Sequence, residues 1–199
     1  MLTVLVNKLK LEAESLIPGN RYHKFGDFIA FPNVGKKELE YAPNVPLKVH
    51  ALHRTESVFA KVAHRDYLVN LPYQSYDYII LFLREAAIDP KVTEIQITLY
   101  RLAENSKVIN ALINAAKNGK AVSVLLELKA RFDEQANIYW TTRLMEEGVK
   151  VNYGLTDYKV HSKICLVKRI EKDKPVYYAN LATGNFNEKT AGLYCDHSI

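Results

Sequence analysis

Residues 94–128 of the chain, EIQITLYRLAENSKVINALINAAKNGKAVSVLLEL, decide its fold. Residues 94–100 and 122–128 have the length and composition that favour strands, and the second of them is strongly apolar. Between them, residues 106–118 place apolar side chains three and four positions apart, which predicts a helix, and Gly119 is typical of a helix end. A strand, a helix and a second strand in this order favour a right-handed crossover between parallel strands.

The same alternation of elements continues on both sides of this unit. Upstream, residues 79–87 carry apolar side chains at helical spacing, with Ser75 as the predicted N-cap and Asp89-Pro90 as the predicted end. Downstream, residues 133–147 predict a further helix, and residues 149–153 predict a further strand. Helices and strands therefore alternate through the middle of the chain.

Two more strands are expected near the end of the chain. One contains His161, the other covers residues 175–182, and the charged turn 169–174 is expected to join them as a pair. Taken together, the elements predict an α/β fold with a mixed, mostly parallel sheet and helices on both faces.

The first part of the chain has a different pattern. Residues 2–16 carry leucines at helical spacing and are followed by Pro18-Gly19, a strong helix breaker. The stretch after it reads as irregular structure up to about residue 47. We therefore expect two domains, with residues 1–47 as the remnant of one domain and residues 48–199 as the other.

Composition and charge restrict the function classes. Hydrophobic residues make up 48% of the 199 residues and charged residues 25%, and no apolar run reaches the ~20 residues of a membrane span. The first residues lack the features of a signal peptide, so a cytoplasmic location is expected. Cys165 and Cys195 have no metal-binding partner at short spacing, and both are predicted to be buried thiols.

The net charge of +5 favours an anionic partner. Nucleic acid, a phosphorylated small molecule, a polyanion and an acidic membrane surface all fit this charge. Charge alone does not choose among them.

Two arginines stand where strands of the predicted sheet end. Arg101 ends the strand 94–100, and Arg131 follows the strand 122–128. Active sites of open α/β sheets lie beyond the carboxyl ends of the strands, so both side chains can reach one rim. The planar guanidinium group binds phosphate oxygens through two donors, although a single loop arginine is more often only solvated.

His161 is the predicted nucleophile. Because successive side chains of a strand alternate between faces, His161 and Lys163 are expected to project to the same side. A neutral imidazole can attack phosphorus near pH 7, and the neighbouring ammonium stabilises the phosphoryl oxygens. In a basic chain with six histidines, this two-residue pattern also arises by chance.

A third element of the predicted site is the turn that contains Gly184, Asn185 and Asn187, directly after the strand 175–182. Amide side chains and exposed backbone N–H groups can cradle phosphate without adding charge. An asparagine-rich turn without a ligand is the plain alternative.

Several of these motifs resemble those of the bacterial polyphosphate kinase family. The matching segments occur in the same order over nearly the whole chain, and they are PGNRYH at 18–23, LPYQS at 71–75, TLYR at 98–101, ELKARFDE at 127–134, KVHSK at 159–163 and TGNFNEKTA at 183–191. The resemblance implies a phospholipase D-like catalytic fold. It also implies that the chain is a fragment, because members of the family begin with a further helical domain and continue into a second, related catalytic domain.

The resemblance also assigns roles to residues. It implies that His161 becomes phosphorylated, that Arg101 and Arg131 belong to the phosphate and magnesium site, and that Tyr194 contacts the nucleotide. Since arginine has no lone pair for a cation, Mg²⁺ is expected to share phosphates with the two arginines and not to be ligated by them. By this assignment residues 1–47 are the end of the family's head domain, and residues 48–199 are most of its first catalytic half.

The chain departs from the phospholipase D signature at two positions: Asn185 replaces the serine of its Gly-Ser-x-Asn segment, and an aspartate is lost. An aspartate follows the lysine of its His-x-Lys pair at a fixed spacing, and this chain has Lys168 there. Loss of the acid is expected of polyphosphate kinases and counts against a phosphodiesterase.

The function expected from the resemblance is reversible transfer of the terminal phosphate of ATP to polyphosphate through a phosphohistidine. The partners implied are ATP, ADP and inorganic polyphosphate with Mg²⁺, and nucleic acid is not expected. A homo-oligomer is expected for the full-length enzyme, and peripheral membrane association is compatible with the charge. The alternatives are a phospholipase D-like phosphodiesterase and a non-catalytic module that binds polyanions, which fits a fragment that is inactive on its own.

Overall fold

The computed structural model describes residues 2–19, 28, 31–32, 34–53, 57–103, 105–127, 134–154 and 159–199. They form two compact units, Met1–Pro43 and Asn44–Ile199.

In the part of the smaller unit that the structure describes, there is one α-helix. Helix α1 covers Leu2–Leu9, and short 3-10 turns lie at Ala13–Ser15 and Lys37–Leu39. The predicted helix 2–16 is thus shorter than expected. It ends where Lys10 adopts a φ of 51°, a left-handed backbone conformation that cannot continue an α-helix.

The described residues of the larger unit form a sheet of seven strands. The strands are β1 (Val69–Leu71), β2 (Val92–Leu99), β3 (Ala121–Leu126), β4 (Lys150–Tyr153), β5 (Lys163–Glu171), β6 (Lys174–Ala182) and β7 (Asp196–Ser198). Their order across the sheet is β1-β7-β6-β5-β2-β3-β4. The first and the last of these strands along the chain are therefore neighbours.

The prediction of a mixed α/β sheet is confirmed, but parallel pairing is less extensive than expected. Strands β1, β2, β3, β4 and β6 run one way, and β5 and β7 run the other. Among these described strands, only β2–β3 and β3–β4 are parallel pairs. The reason is that β5 and β7 each lie between two strands that run in the opposite direction, so all their pairs are antiparallel.

Helices α2 (Val58–Val62), α3 (Asp77–Ile88), α4 (Lys107–Lys117) and α5 (Glu134–Glu146) complete the larger unit. One face of the sheet is buried in the core with these helices, through Ile95, Ile97, Val122, Val124, Cys165 and Val167. The opposite face is open and forms a shallow depression of about 380 Å³, lined in part by Gln96, Thr98, Ser123, Asn152 and Ile164. The expectation of helices on both faces is therefore wrong for the described residues. The physical reason is the polar side chains Glu94, Gln96 and Thr98 at alternate positions of β2, which suit a face in contact with water.

Local signals explain where the helices begin and end. Ser106 is the N-cap of α4, and its Oγ accepts a hydrogen bond from the backbone N–H of Ile109 at 3.2 Å. Gly119 follows α4 with a φ of 79°, which a residue with a side chain rarely adopts. At α3 the N-cap is Tyr76, one residue after the predicted Ser75, whose Oγ accepts from the N–H of Asp77 at 3.1 Å.

The hairpin between β5 and β6 is tighter than predicted. Glu171 pairs with Lys174, so the turn consists of Lys172 and Asp173 alone. Both have positive φ values, 48° and 61°, as two-residue turns with the twist of the adjoining strands require.

Among the described residues, none of the helices combines the length and the apolar character of a membrane span.

Candidate active site

One edge of the sheet collects the residues that the sequence singles out. The parallel strands β2, β3 and β4 end there at Leu99, Leu126 and Tyr153. Strand β5 runs the opposite way and begins there at Lys163, which pairs with Ala182 at the end of β6. The carboxyl ends of four strands and the start of a fifth thus meet at this edge, as the α/β rule predicts for a site.

His161 lies on the segment that enters β5, two residues before the strand begins. The prediction that His161 is itself a strand residue is therefore wrong. The paired strands end first, because the hydroxyl of Thr98 takes the place of a backbone partner. It donates to the carbonyl of Ser162 at 2.7 Å and accepts from the N–H of Ile164 at 3.0 Å. His161 is exposed beyond this point.

The ring of Tyr100 lies at the centre of the described charges at this edge. The His161 ring packs edge to face against it, with 5.7 Å between the ring centroids. Three cationic groups approach the same ring, namely Lys159 Nζ at 5.3 Å, Lys163 Nζ at 5.7 Å and Arg101 Cζ at 6.0 Å. Since an aromatic face attracts cations, Tyr100 gathers positive charge around the histidine. In the sequence Tyr100 stands out only as part of a motif, and its position beside His161 was not predicted.

Lys163 is a buried lysine, with 6% of its surface exposed. Its Nζ donates to the backbone carbonyl of His161 at 2.5 Å, so it contacts the segment that carries the histidine. Burial lowers the pKa of Lys163 below its ordinary value; Asp196 opposes this shift, and the charge of Lys159 adds to it.

Arg101 follows β2 at the same edge, and its backbone carbonyl accepts a hydrogen bond from Asn187 Nδ2 at 3.3 Å. The structure thus brings Arg101 to the turn that contains Gly184, Asn185 and Asn187. Arg131 lies outside the described residues, so the pairing of the two arginines stays a prediction.

The side-chain oxygen of Asn187 forms hydrogen bonds within the turn itself. It is 5% exposed, and its Oδ1 accepts from the N–H groups of Lys189 and Thr190 at 3.0 and 3.1 Å. Oδ1 of Asn185, by contrast, is buried and accepts no hydrogen bond within the described part of the chain. Of the two asparagines, Asn185 therefore has the side-chain oxygen that remains for another group.

Position 184 requires a glycine because Asp196 lies against it. A Cβ atom at this position would lie 2.2 Å from Asp196 Oδ2, far inside contact distance. The carboxylate of Asp196 also accepts from Thr183 Oγ1 at 2.8 Å. The absence of a side chain at Gly184 thus admits Asp196, a site-edge carboxylate that the sequence argument did not single out.

Tyr194 lies in the segment between the 3-10 turn Thr190–Gly192 and β7, and its side chain is 62% exposed. It is free to meet a ligand, but the structure gives it no contact with His161.

The two thiols differ from each other. Cys165 is buried as predicted, and burial raises its pKa to about 12. The prediction is wrong for Cys195, which is exposed with its Sγ 3.7 Å from Tyr73 Oη.

Glu127 is a second residue that the sequence argument used only within a motif. It follows β3, is 3% exposed, and accepts a hydrogen bond from the N–H of Val160 at 2.9 Å through Oε2. The signal available in the sequence was a charged residue directly after an apolar strand. When such a carboxylate is buried, it needs a hydrogen-bond partner.

The described residues contain no group of three or more His, Cys, Asp or Glu side chains that could hold a metal ion. The charge around His161 is predominantly positive, through Lys159, Lys163 and Arg101. Such a surface suits a phosphate-bearing substrate, which can bring its own cation.

Comparison with known proteins gives consistent results. The family model described as "Polyphosphate kinase C-terminal domain 1" matches residues 57–199. A polyphosphate kinase of Vibrio vulnificus (strain YJ016) is 47% identical over 200 residues, which cover all of this chain and 29% of that protein. The polyphosphate kinase of Escherichia coli (strain K12) is 44% identical over 202 residues, again all of this chain and 29% of that protein.

Two solved structures are similar in fold. The crystal structure of polyphosphate kinase from Porphyromonas gingivalis superposes with a TM-score of 0.75 at 39% identity, over 95% of this chain and 32% of that one. Nuc, a phospholipase D family member from Salmonella typhimurium, superposes with a TM-score of 0.52 at 17% identity, over 66% of this chain and 78% of that one. The second likeness concerns the fold alone.

Proposed function

The chain belongs to the polyphosphate kinase family, and we propose that it is part of an enzyme that transfers the terminal phosphoryl group of ATP reversibly to inorganic polyphosphate. The chain spans 29% of the length of the curated relatives that it matches, so the proposal concerns the full-length protein. In this proposal, residues 48–199 are the first catalytic half, and residues 1–47 are the end of the preceding head domain. A second, related domain supplies further nucleotide contacts.

The observation that carries the proposal is an exposed His161 with Lys159, Lys163 and Arg101 gathered around the Tyr100 ring beside it. A ring nitrogen of His161 attacks the γ-phosphorus of ATP. The new N–P bond forms as the bond from phosphorus to the bridging oxygen breaks, and ADP leaves with that electron pair. A terminal oxygen of polyphosphate then attacks the same phosphorus, the N–P bond breaks, and the imidazole is restored.

The cationic side chains act on the phosphoryl oxygens and on the leaving group. Phosphoryl transfer depends mainly on positioning and on charge stabilisation, which Arg101 and Lys163 can supply from fixed places at the sheet edge. Arg131 has the same role in the proposal, and Tyr194 contacts the nucleotide. Gly184, Asn185 and Asn187 form the turn beside them, with Asn185 as the member with an available side-chain oxygen.

We include Mg²⁺ as the cofactor, and it would neutralise part of the phosphate charge when bound. The arginines cannot ligate it, because they carry no lone pair, so the phosphates would supply most of its ligands. The Asn185 oxygen and the Asp196 carboxylate are two described oxygen groups near this edge that would be able to contribute to holding it. Homo-oligomerisation, peripheral membrane contact and a cytoplasmic location stay predictions.

The experiment is to incubate the full-length protein with γ-³²P-labelled ATP and to map the label. We expect an acid-labile phosphohistidine at His161, release of ADP, and transfer of the label to polyphosphate. His161→Ala should abolish labelling and synthesis. His64→Ala is the matched control, since His64 is an exposed histidine in the segment between α2 and β1.

The alternatives give different results. Cleavage of a phosphodiester without nucleotide would support a phospholipase D-like activity. Salt-sensitive binding of polyphosphate by the full-length protein, unchanged in His161→Ala and without labelling, would support a binding module. Either result would overturn the kinase proposal.

A further inference from the structure

Glu127 connects the ends of three strands with the segment that carries His161. Its own N–H donates to the carbonyl of Leu99 at 3.0 Å and so extends the pairing of β2 with β3 by one residue. One position earlier, the carbonyl of Leu126 accepts from the N–H of Gly154 at 3.0 Å and extends the pairing of β3 with β4. The backbone at Glu127 is thus fixed from both sides at the site edge.

The side chain of Glu127 turns from this fixed point towards the His161 segment. Its Oε2 accepts from the N–H of Val160, the residue directly before His161, at 2.9 Å. A hydrogen bond between a backbone N–H and a carboxylate is stronger than one between neutral groups. Gly154 lies beside this arrangement, and a Cβ at that position would be at ordinary contact distance, 3.4 Å, from the same oxygen.

Burial separates Glu127 from the reacting groups. With 3% of its surface exposed, its carboxylate cannot reach a phosphate chain bound at the surface. The described link between Glu127 and the histidine segment runs through the backbone N–H of Val160. On the other side of His161, Lys163 holds the carbonyl of the same residue at 2.5 Å. The His161 backbone is therefore held from both directions.

We propose that Glu127 is a positioning residue for phosphoryl transfer, which holds the backbone before His161 so that its imidazole faces the phosphorus. This inference rests on the proposed function, because it assigns Glu127 a part in the phosphorylation of His161. The hydrogen bond, and not the charge, carries the role. A side chain that keeps an acceptor oxygen at the same reach therefore keeps the function.

The test compares Glu127→Gln, Glu127→Met and Glu127→Asp in the full-length protein. Single-turnover labelling with γ-³²P-ATP gives the rate of His161 phosphorylation, and its dependence on ATP concentration gives the apparent affinity. We expect Glu127→Gln to stay within about threefold of the wild-type rate. Glu127→Met, which lacks the acceptor, should lose about 10- to 100-fold in rate, with an apparent ATP affinity that is unchanged within about twofold.

Hydrogen–deuterium exchange supplies a readout that is independent of activity. The Val160 amide should exchange faster in Glu127→Met than in the wild type and in Glu127→Gln. Glu94→Met is the matched control, because Glu94 lies in β2 away from the site edge. Its Oε1 accepts a hydrogen bond from Gln96 Nε2 at 2.6 Å. It should leave both the rate and the Val160 exchange unchanged.

Glu127→Asp decides the matter if Glu127→Met does not fold. Its shorter side chain keeps the charge but withdraws the acceptor, so phosphorylation should slow and the Val160 amide should exchange faster. An active Glu127→Asp together with an inactive Glu127→Gln would overturn the proposal in favour of a charge effect. If His161 is labelled as fast in Glu127→Met as in the wild type, the proposal is also overturned. A wild type without label at His161 would instead refute the proposed function.

Discussion

The rings of Tyr100 and His161 meet edge to face, with 5.7 Å between their centroids and 79° between their planes. Tyr100 directly follows β2, so the contact connects the histidine segment to the end of a central strand. Edge-to-face aromatic contacts contribute about 0.5–1.5 kcal/mol beyond the burial of area, and a cation over an aromatic face contributes a further 0.5–1 kcal/mol, roughly. Tyr100 therefore influences both the place of the nucleophile and the charge around it.

Replacing the aromatic ring at position 100 should slow phosphoryl transfer. Since about 1.4 kcal/mol corresponds to a tenfold change in rate, we expect Tyr100→Leu to lower kcat about tenfold in the full-length enzyme. Tyr100→Phe keeps the ring and should remain near the wild-type rate. The measurement is steady-state ADP formation with polyphosphate as acceptor.

Tyr177→Leu is the control for this change, because Tyr177 is a tyrosine of β6 that is 56% exposed on the open sheet face. It should leave kcat unaffected. Equal activity of Tyr100→Leu and the wild type would contradict the role of the ring.

The activity should fall at alkaline pH when Lys163 loses its proton. Burial lowers the pKa of Lys163, so the charge is lost at a lower pH than the value of about 10.4 for a free lysine. The alkaline limb of kcat/KM against pH should therefore lie below that value. In Lys163→Arg, whose guanidinium stays protonated, the limb should move to higher pH even if kcat itself decreases.

A pH profile of Lys163→Arg that coincides with the wild-type profile would assign the alkaline limb to another group. The same profile measured with Lys168→Arg serves as a control, since Lys168 lies within β5 and pairs with Glu94 and Tyr177. Its alkaline limb should be unchanged.

Arg169 should stabilise the larger unit in a pH-dependent way. Its Nε donates to Asp89 Oδ2 at 2.8 Å, and its Nη1 donates to Glu171 Oε1 at 2.5 Å. Burial by itself would raise the pKa of Asp89, but the hydrogen bond from Arg169 brings that pKa below its ordinary value. The pKa of Glu171 is lowered by the Tyr178 hydroxyl and then by Arg169.

We expect Arg169→Met to reduce the free energy of unfolding by about 1–2 kcal/mol at pH 7, mainly through the loss of its pair with Asp89. A depressed carboxyl pKa gives stability that is present above the unfolded-state pKa, near 4, and that is lost as pH falls through the folded-state pKa. The difference between wild type and variant should therefore narrow as the pH falls below about 4. Urea unfolding across the pH range measures this, and Lys174→Met, on an exposed residue of β6, is the control. A difference that stays constant down to pH 2 would contradict the assignment.

The sequence predicted best the elements whose own residues determine them. Helix α4 and its flanking strands begin and end within two residues of their predicted bounds, because Ser106 and Gly119 cap the helix and the apolar spacing fixes its buried side. The open face of the sheet was also readable, since Gln96 and Thr98 alternate with buried residues, but the continuous apolar character of β3 outweighed that signal.

The features that the sequence argument missed depend on contacts between distant segments. His161 leaves the strand because the Thr98 hydroxyl takes over the pairing there, and nothing near His161 in the sequence indicates this. The places of Tyr100 and Glu127 in the site follow likewise from the edge at which the strands converge. The motif resemblance identified the segments of the site, but it did not give their geometry.

Strand β1 is at the edge of the described sheet, and its neighbour there is β7, through pairs such as Leu71 with Asp196. During synthesis at about 5–20 residues per second, β1 leaves the ribosome roughly ten seconds before that neighbour exists. Until then its backbone groups lack their final partner, and the site edge that includes Asp196 is incomplete. Translation speed and chaperone access over this interval therefore bear on the yield of native protein, and a ribosome that stalls before residue 196 would present a nascent chain with an unpaired strand.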